Sequence, residues 1–170
     1  MKKKLVAVIT VCCLLINNSL LHAQVISGTY AIKNVETGML LRIKDANSKN
    51  GTPIVSYNPV SWKCMTWDFQ HKEGNTYQLR NLFSGKTLQP VQQAAASVPM
   101  EEQPLVAGDV NQQYEFIPAG KNIFNIRLKG TELYLSPIDN KGNTNSAIVL
   151  AKKDDSKLQQ WTIYEQHPDF

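Results

Sequence analysis

The sequence predicts an all-β domain assembled from three homologous units of about four short strands each, closed around a pseudo-threefold axis. Three observations carry this expectation. Stretches such as YAIKNV, TYQLRNL and IFNIRL alternate apolar and polar residues with period two, the pattern of half-buried strands. Turn-rich pieces such as DANSKNG and DNKGNTN divide them, and helix signals are few. The chain also repeats itself at a step of 47 residues, a period that has to be explained before any local structure is assigned.

Taken in chain order, Tyr30, Tyr77 and Phe124 open the units at this step, followed by Ile32, Leu79 and Ile126. The small turn residues Thr37, Ser84 and Thr131 come next, with Gly38 and Gly85 beside the first two. Leu41, Leu88 and Leu135 form the next apolar column. Trp67, Tyr114 and Trp161, then Phe69, Phe116 and Ile163, close each unit. The units span about 27–73, 74–119 and 120–165. Each apolar column keeps one chemical type, so the columns read as a list of core residues. A solenoid could add units indefinitely and would want capping ends. Three four-stranded units with aromatic anchors suggest closure instead, which removes exposed strand edges. The Ala/Gln-rich segment VQQAAASVPMEEQP (91–104) is short, lacks an apolar stripe and is flanked by prolines, so it reads as a loop with at most one turn.

Residues 1–23 read as a secretory signal peptide: a basic MKKK start, the apolar run LVAVITVCCLLI, and LHA before Gln24. The run is too short to span a bilayer comfortably. Neither Cys12 nor Cys13 follows the small residue that lipidation needs. Cleavage would leave residues 24–170, enough for a single compact domain with no membrane span. That domain would be exported: secreted, periplasmic or held at the cell surface. Removing the three lysines of the start lowers the net charge from +4 to +1, and no clustered basic face remains, so a nucleic-acid partner is not expected. Cys64 is then alone, forms no internal disulfide, and reads as a small buried hydrophobe.

Each unit ends on a related phrase: Met65-Thr66-Trp67, Gln112-Gln113-Tyr114 and Gln159-Gln160-Trp161. The first unit reads Gly28-x-Tyr30-x-Ile32-x-Asn34, then Thr37-Gly38-x-x-Leu41, an Asn50-Gly51-Thr52-Pro53-Ile54-Val55 strand, and Thr66-Trp67-Asp68-Phe69. Across all three units this resembles the ricin-type β-trefoil lectin repeat, with its Gln-any-Trp signature. The resemblance implies a β-trefoil of twelve strands, a six-stranded barrel capped by three hairpins. It places the signature Trp in the core, with the Gln bridging polar groups beside it. The signature therefore marks architecture, and the family's sugar sites use other positions. These are a carboxylate just after the second strand, an aromatic on or after the third, and an Asn before the signature Gln. Carried across, the carboxylate falls on Arg42, Gln89 and Ser136. The aromatic falls on Tyr57, Gly108 and Ala151, and the Asn on Cys64, Asn111 and Leu158. No unit holds the full set, so binding galactose in the family's usual manner is not expected.

The first unit is the richest candidate site. Tyr57, Asn58 and Trp62 sit in SYNPVSWKC, and Trp62 has no partner in the 47-residue register. A sugar presents an apolar C–H face and a rim of hydroxyls, so its site needs a flat ring beside polar groups. Asp45 and Asn47 follow the second strand, where they would replace the missing carboxylate. Arg42 would meet an acidic sugar or a carboxylate on a protein. The plainer expectation is that Trp62 folds back over the barrel mouth while the polar residues only form turns. In the third unit, alternation between Leu133 and Leu135 points Tyr134 outward beside Asp139 and Asn140, as a stacking platform or, more simply, a surface tyrosine. His71 and His167 lack companions at metal-ligand spacing, and Asp154-Asp155 reads as a solvated turn. With no activated nucleophile phrase and no phosphate-cradling glycine run, catalytic residues, metal and cofactor are all unexpected. The expected function is a secreted, non-catalytic module that binds a glycan or polysaccharide through a shallow aromatic and polar site. The alternative is a rigid scaffold whose 92–104 and Trp62 loops bind a protein, as inhibitor or assembly module.

Overall fold

The computed structural model describes residues 25–169, so the signal peptide expected over 1–23 lies outside the described residues. The first unit contributes β1 (Thr29–Asn34), β2 (Leu40–Ile43), β3 (Ile54–Tyr57) and β4 (Thr66–Glu73). The second contributes β5 (Thr76–Asn81), β6 (Thr87–Pro90), β7 (Met100–Gln103) and β8 (Tyr114–Gly120). The third contributes β9 (Ile123–Leu128), β10 (Leu133–Pro137), β11 (Ile148–Lys152) and β12 (Gln160–Glu165). The first and last strands of the units pair antiparallel in a ring, β1–β4–β5–β8–β9–β12 and back to β1. That ring is a closed six-stranded barrel. The middle strands form three hairpins, β2–β3, β6–β7 and β10–β11. The fold is a β-trefoil: three units closed on themselves, as the 47-residue repeat predicts, in the twelve-strand form that the resemblance implies.

The repeated columns form one core. Ile32, Leu79 and Ile126, and Leu41, Leu88 and Leu135, are all fully buried. Tyr30 and Phe124 are half-buried and pack against the same cluster. The rings meet tilted or edge to face rather than stacked flat, with Phe69 and Phe116 centroids 5.0 Å apart and Tyr77 and Phe116 5.5 Å apart. The closing aromatics share a polar role as well as a packing one. Trp67 Nε1 donates to the Leu41 carbonyl at 3.2 Å and Trp161 Nε1 to the Leu135 carbonyl at 3.0 Å. Tyr114 lacks an indole, yet its hydroxyl donates to the Leu88 carbonyl, the same column, at 2.8 Å. Burial, with Asp109 adding to it, pushes the Tyr114 phenol well above its usual pKa, so it stays a neutral donor.

The hairpins interlock cyclically. Gly51 N donates to Glu102 O and Glu102 N to Thr52 O, at 2.9 and 2.8 Å, tying the first unit's loop to β7. Ser97 N donates to Leu150 O and Leu150 N to Val98 O, tying the second unit's loop to β11. Asn145 N donates to Ser56 O and Ser56 N to Ser146 O, tying the third unit's loop back to β3. Each unit is therefore gripped by one neighbour and grips the other.

One segment departs from the sequence expectation. Residues 91–104 are not all loop, because Met100–Gln103 is strand β7, paired with β6. Its alternation was hidden because the inward positions are Met100 and Glu102, both 0% exposed, and a glutamate at a core-facing position reads as surface.

Candidate functional site

The fold sets one shallow pocket against each hairpin. The first, of 240 Å³, is lined by Arg42, Ala46, Trp62, Lys63, Cys64 and Phe83. The second, of 460 Å³, includes Gln89, Asn111, Thr131 and the 91–94 segment. The third, of 430 Å³, includes Ser136, Ala151, Asp154 and Leu158. The columns Arg42/Gln89/Ser136 and Cys64/Asn111/Leu158 thus line equivalent pockets in all three units. Strand pairing corrects the third column. Tyr57 lies opposite Leu40 and Ala151 opposite Tyr134, and the matching residue of the second unit is Gln103, opposite Thr87, and not Gly108.

Of the three hairpin pockets only the first carries exposed aromatic rings, Trp62 and Phe83. Trp62 is 39% exposed, whereas Trp67 and Trp161 are buried. It does not fold away over the barrel mouth. Tyr57, the last residue of β3, is half-buried and packs on a small cluster of Ala31, Leu40, Cys64 and Met65. The two rings lie 6.1 Å apart, tilted by 34°. Arg42 completes the group. Its place on β2 opposite Val55 makes it the diagonal neighbour of Tyr57 on one hairpin face. Its guanidinium carbon stands 3.9 Å from the Tyr57 ring centroid and 5.9 Å from that of Trp62. A ring face of Tyr57 is therefore given to Arg42 rather than to solvent, which leaves Trp62 and the second unit's Phe83, 44% exposed, as the open rings of the pocket.

The surrounding polar residues divide. Asp45, in the one-turn 3-10 segment after β2 and at a φ of 54°, brings its carboxylate to 4.0 Å from Arg42 Nη2 while its side chain stays 65% exposed. Asn47 accepts from Lys49 N at 3.1 Å and serves the turn. Asn58 is exposed on the loop after β3. Asn111 lies in the second unit's pocket, away from this group, and its backbone N–H donates to Asp109. Tyr134 contradicts the surface expectation, since it is 5% exposed. The outward face of β10 is covered there: Arg127 lies across from Tyr134 on β9, and Lys153 Nζ comes within 5.9 Å of its ring. Cys64 is buried, as expected of a small hydrophobe. Among the described residues no three His, Cys, Asp or Glu side chains gather in a way that would hold a metal.

The signature glutamines explain how the pockets keep their shape. Gln159 Nε2 donates to Lys152 O at 2.6 Å, and its Oε1 accepts from Asp154 N at 3.1 Å. Gln112 Nε2 donates to Pro104 O, and its Oε1 accepts from Val106 N. In both units the amide pins the loop that leaves the third strand. The first unit has Met65 there, which cannot do this. Gln166, just beyond β12, supplies the amide instead: Nε2 donates to Val60 O at 3.1 Å, and Oε1 accepts from Thr66 Oγ1 at 2.7 Å. Sequence reasoning missed Gln166 because it lies outside the register, and it missed Phe83 because only the fold brings the second unit's turn beside Trp62; Lys63, next to Trp62 in the chain, was visible but carried no signal of its own.

A family model described as ricin-type beta-trefoil lectin domain-like matches residues 62–151, more than half of the chain. No curated protein matches the chain in sequence. Among solved structures, the ricin B-like lectin of Macrolepiota procera, determined with lactose, is 25% identical at a TM-score of 0.68, covering 82% of this chain and 97% of its own. The Rhizoctonia solani agglutinin is 20% identical at 0.75, covering 84% and 97%. ThreeFoil, a designed threefold-symmetric protein, is 16% identical at 0.77, covering 81% and 99%.

Proposed function

Because the chain belongs to the ricin-type beta-trefoil lectin-like family, we propose that it is an exported, non-catalytic carbohydrate-binding module that takes a glycan in the first unit's pocket. The observation that carries this is Trp62. It is the exposed tryptophan of the three, it lines a pocket, and it stands outside the core register that accounts for the other two. An exposed indole beside donors is the arrangement that a sugar's apolar face and hydroxyl rim call for. The lactose held by the Macrolepiota lectin supports the ligand class. The erosion of the second and third pockets, which offer Gln89 and Ser136 but no exposed ring, argues for one working site rather than three. A single shallow site binds weakly, so useful avidity needs several copies on one surface.

The test is a broad glycan array probed at high protein concentration with the wild type and with Trp62→Ala. The reading expects at least one glycan whose signal the variant loses. It fails if no glycan distinguishes the two proteins. A protein partner retained from native secretions in excess sugar would favour the scaffold alternative.

A further inference from the structure

We propose that the glycan taken by the first pocket is anionic, and that Arg42 receives its carboxylate or sulfate group. This rests on the lectin reading above and narrows it to a ligand class. Arg42 lines the first pocket at the position that the uncharged Gln89 and Ser136 hold in the other two, so of the three only this pocket carries a charge there. The residue is only 6% exposed. Burying a guanidinium is costly unless it is paired and hydrogen-bonded. Among the described residues its compensation is thin. Asp45 approaches only to 4.0 Å from a largely exposed position, and Nε, fully shielded, has no hydrogen-bond partner. The Tyr57 ring supplies a cation–π contact, which fixes the guanidinium in place but does not neutralise it.

The rest of the pocket agrees. Lys63 lines it, and none of its lining residues is acidic. A planar, fixed fork of donors suits a carboxylate or sulfate oxygen pair, and because Tyr57 already holds Arg42 still, little side-chain freedom is lost on binding. Tyr57 is on this account a positioning residue and Trp62 the sugar platform, with the anion entering between Trp62 and the cation. A neutral sugar would leave the Arg42 charge as poorly matched as it is in the free protein.

The experiment uses matched pairs of immobilised oligosaccharides: uronic-acid chains with their carboxyl-reduced forms, and sulfated chains with their desulfated forms. Expected is a stronger signal for the acidic member of at least one pair, by roughly tenfold or more, the range of a charge-assisted hydrogen bond. The responding pair tells carboxylate from sulfate. Arg42→Gln should erase the acidic preference while leaving weak, Trp62-dependent binding to the sugar. Should Arg42→Gln fail to fold, Lys63→Gln, a half-exposed wall residue, should reduce the same preference, and the wild-type signal should fall with added salt. Equal binding of acidic and neutral members, or a preference that persists in the Arg42 and Lys63 variants, overturns the proposal and leaves the lectin reading standing. No binding to any array member, acidic or neutral, overturns both.

Discussion

Replacing Glu102 with leucine should stabilise this protein at neutral and alkaline pH. Glu102 sits on β7 opposite the core residue Leu88, is 0% exposed, and neither carboxylate oxygen has a hydrogen-bond partner among the described residues. Leucine fits this place in the fold, because Leu150 holds the matching position on β11, opposite Leu135. Leaving a buried polar group unsatisfied costs about 1–3 kcal/mol, more when it is charged, so Glu102→Leu should gain about that much at pH 8. For a domain of this size the gain corresponds to a Tm higher by roughly 3–9 °C. The pH dependence is the sharper part. Burial raises the Glu102 pKa, and the nearby Ser84 hydroxyl, which stops short of a hydrogen bond, and the Lys86 ammonium oppose it only in part. Between the ordinary glutamate value and that raised value, the unfolded chain has released the proton and the folded chain still holds it. Wild-type stability from this group is thus fully present below the ordinary value, about 4.3, and is lost as pH rises through the folded one. The variant has nothing to titrate there, so its advantage should widen from pH 4 to pH 8. Urea unfolding followed by tryptophan fluorescence at pH 4, 6 and 8 measures this. Glu102→Gln, which removes the charge but keeps a polar group, should fall between. An advantage that does not change with pH, or a wild type that is the more stable at pH 8, would refute the reasoning.

Two further outcomes follow from the closing phrases. Tyr114→Phe keeps the ring but strands the buried Leu88 carbonyl, and should cost about 1–3 kcal/mol in a chemical denaturation curve; a neutral result would mean that the shared carbonyl column is not a stabilising device. Gln166→Leu removes the amide that pins the Val60 loop. It should destabilise by a similar amount and increase iodide quenching of the tryptophan signal, since Trp62 is the ring that solvent reaches. Unchanged quenching would show that Gln166 does not hold the Trp62 loop.

The barrel was legible in the sequence because its anchors are large, apolar and evenly stepped, so Trp67, Tyr114 and Trp161 announce one another across the chain. The hairpins were less so. β7 was hidden by Glu102, whose polarity conceals an inward position, and the misplaced Gly108 follows from losing that strand. Tyr134 was assigned its face correctly but not its burial, because alternation fixes a direction and says nothing of what Arg127 and Lys153 lay over it. At the site, the sequence singled out Arg42, Tyr57 and Trp62 one by one. That Arg42 would stack on Tyr57 depends on a diagonal strand register, and that Phe83 would join the Trp62 pocket depends on a contact between units. Neither has a local signature.

The seam between β1 and β12 carries a kinetic consequence. Tyr30 pairs with Glu165 and Ile32 with Ile163, so the ring closes only when opposite ends of the domain meet. Contacts so distant along the chain are reached late and slowly, because their loop entropy is spent before they return anything. Until then β1 and β12 are both open edges, each able to accept a strand from another copy of the chain. The hazard for this protein therefore lies less in its finished barrel than in the interval before the last pair of strands meets.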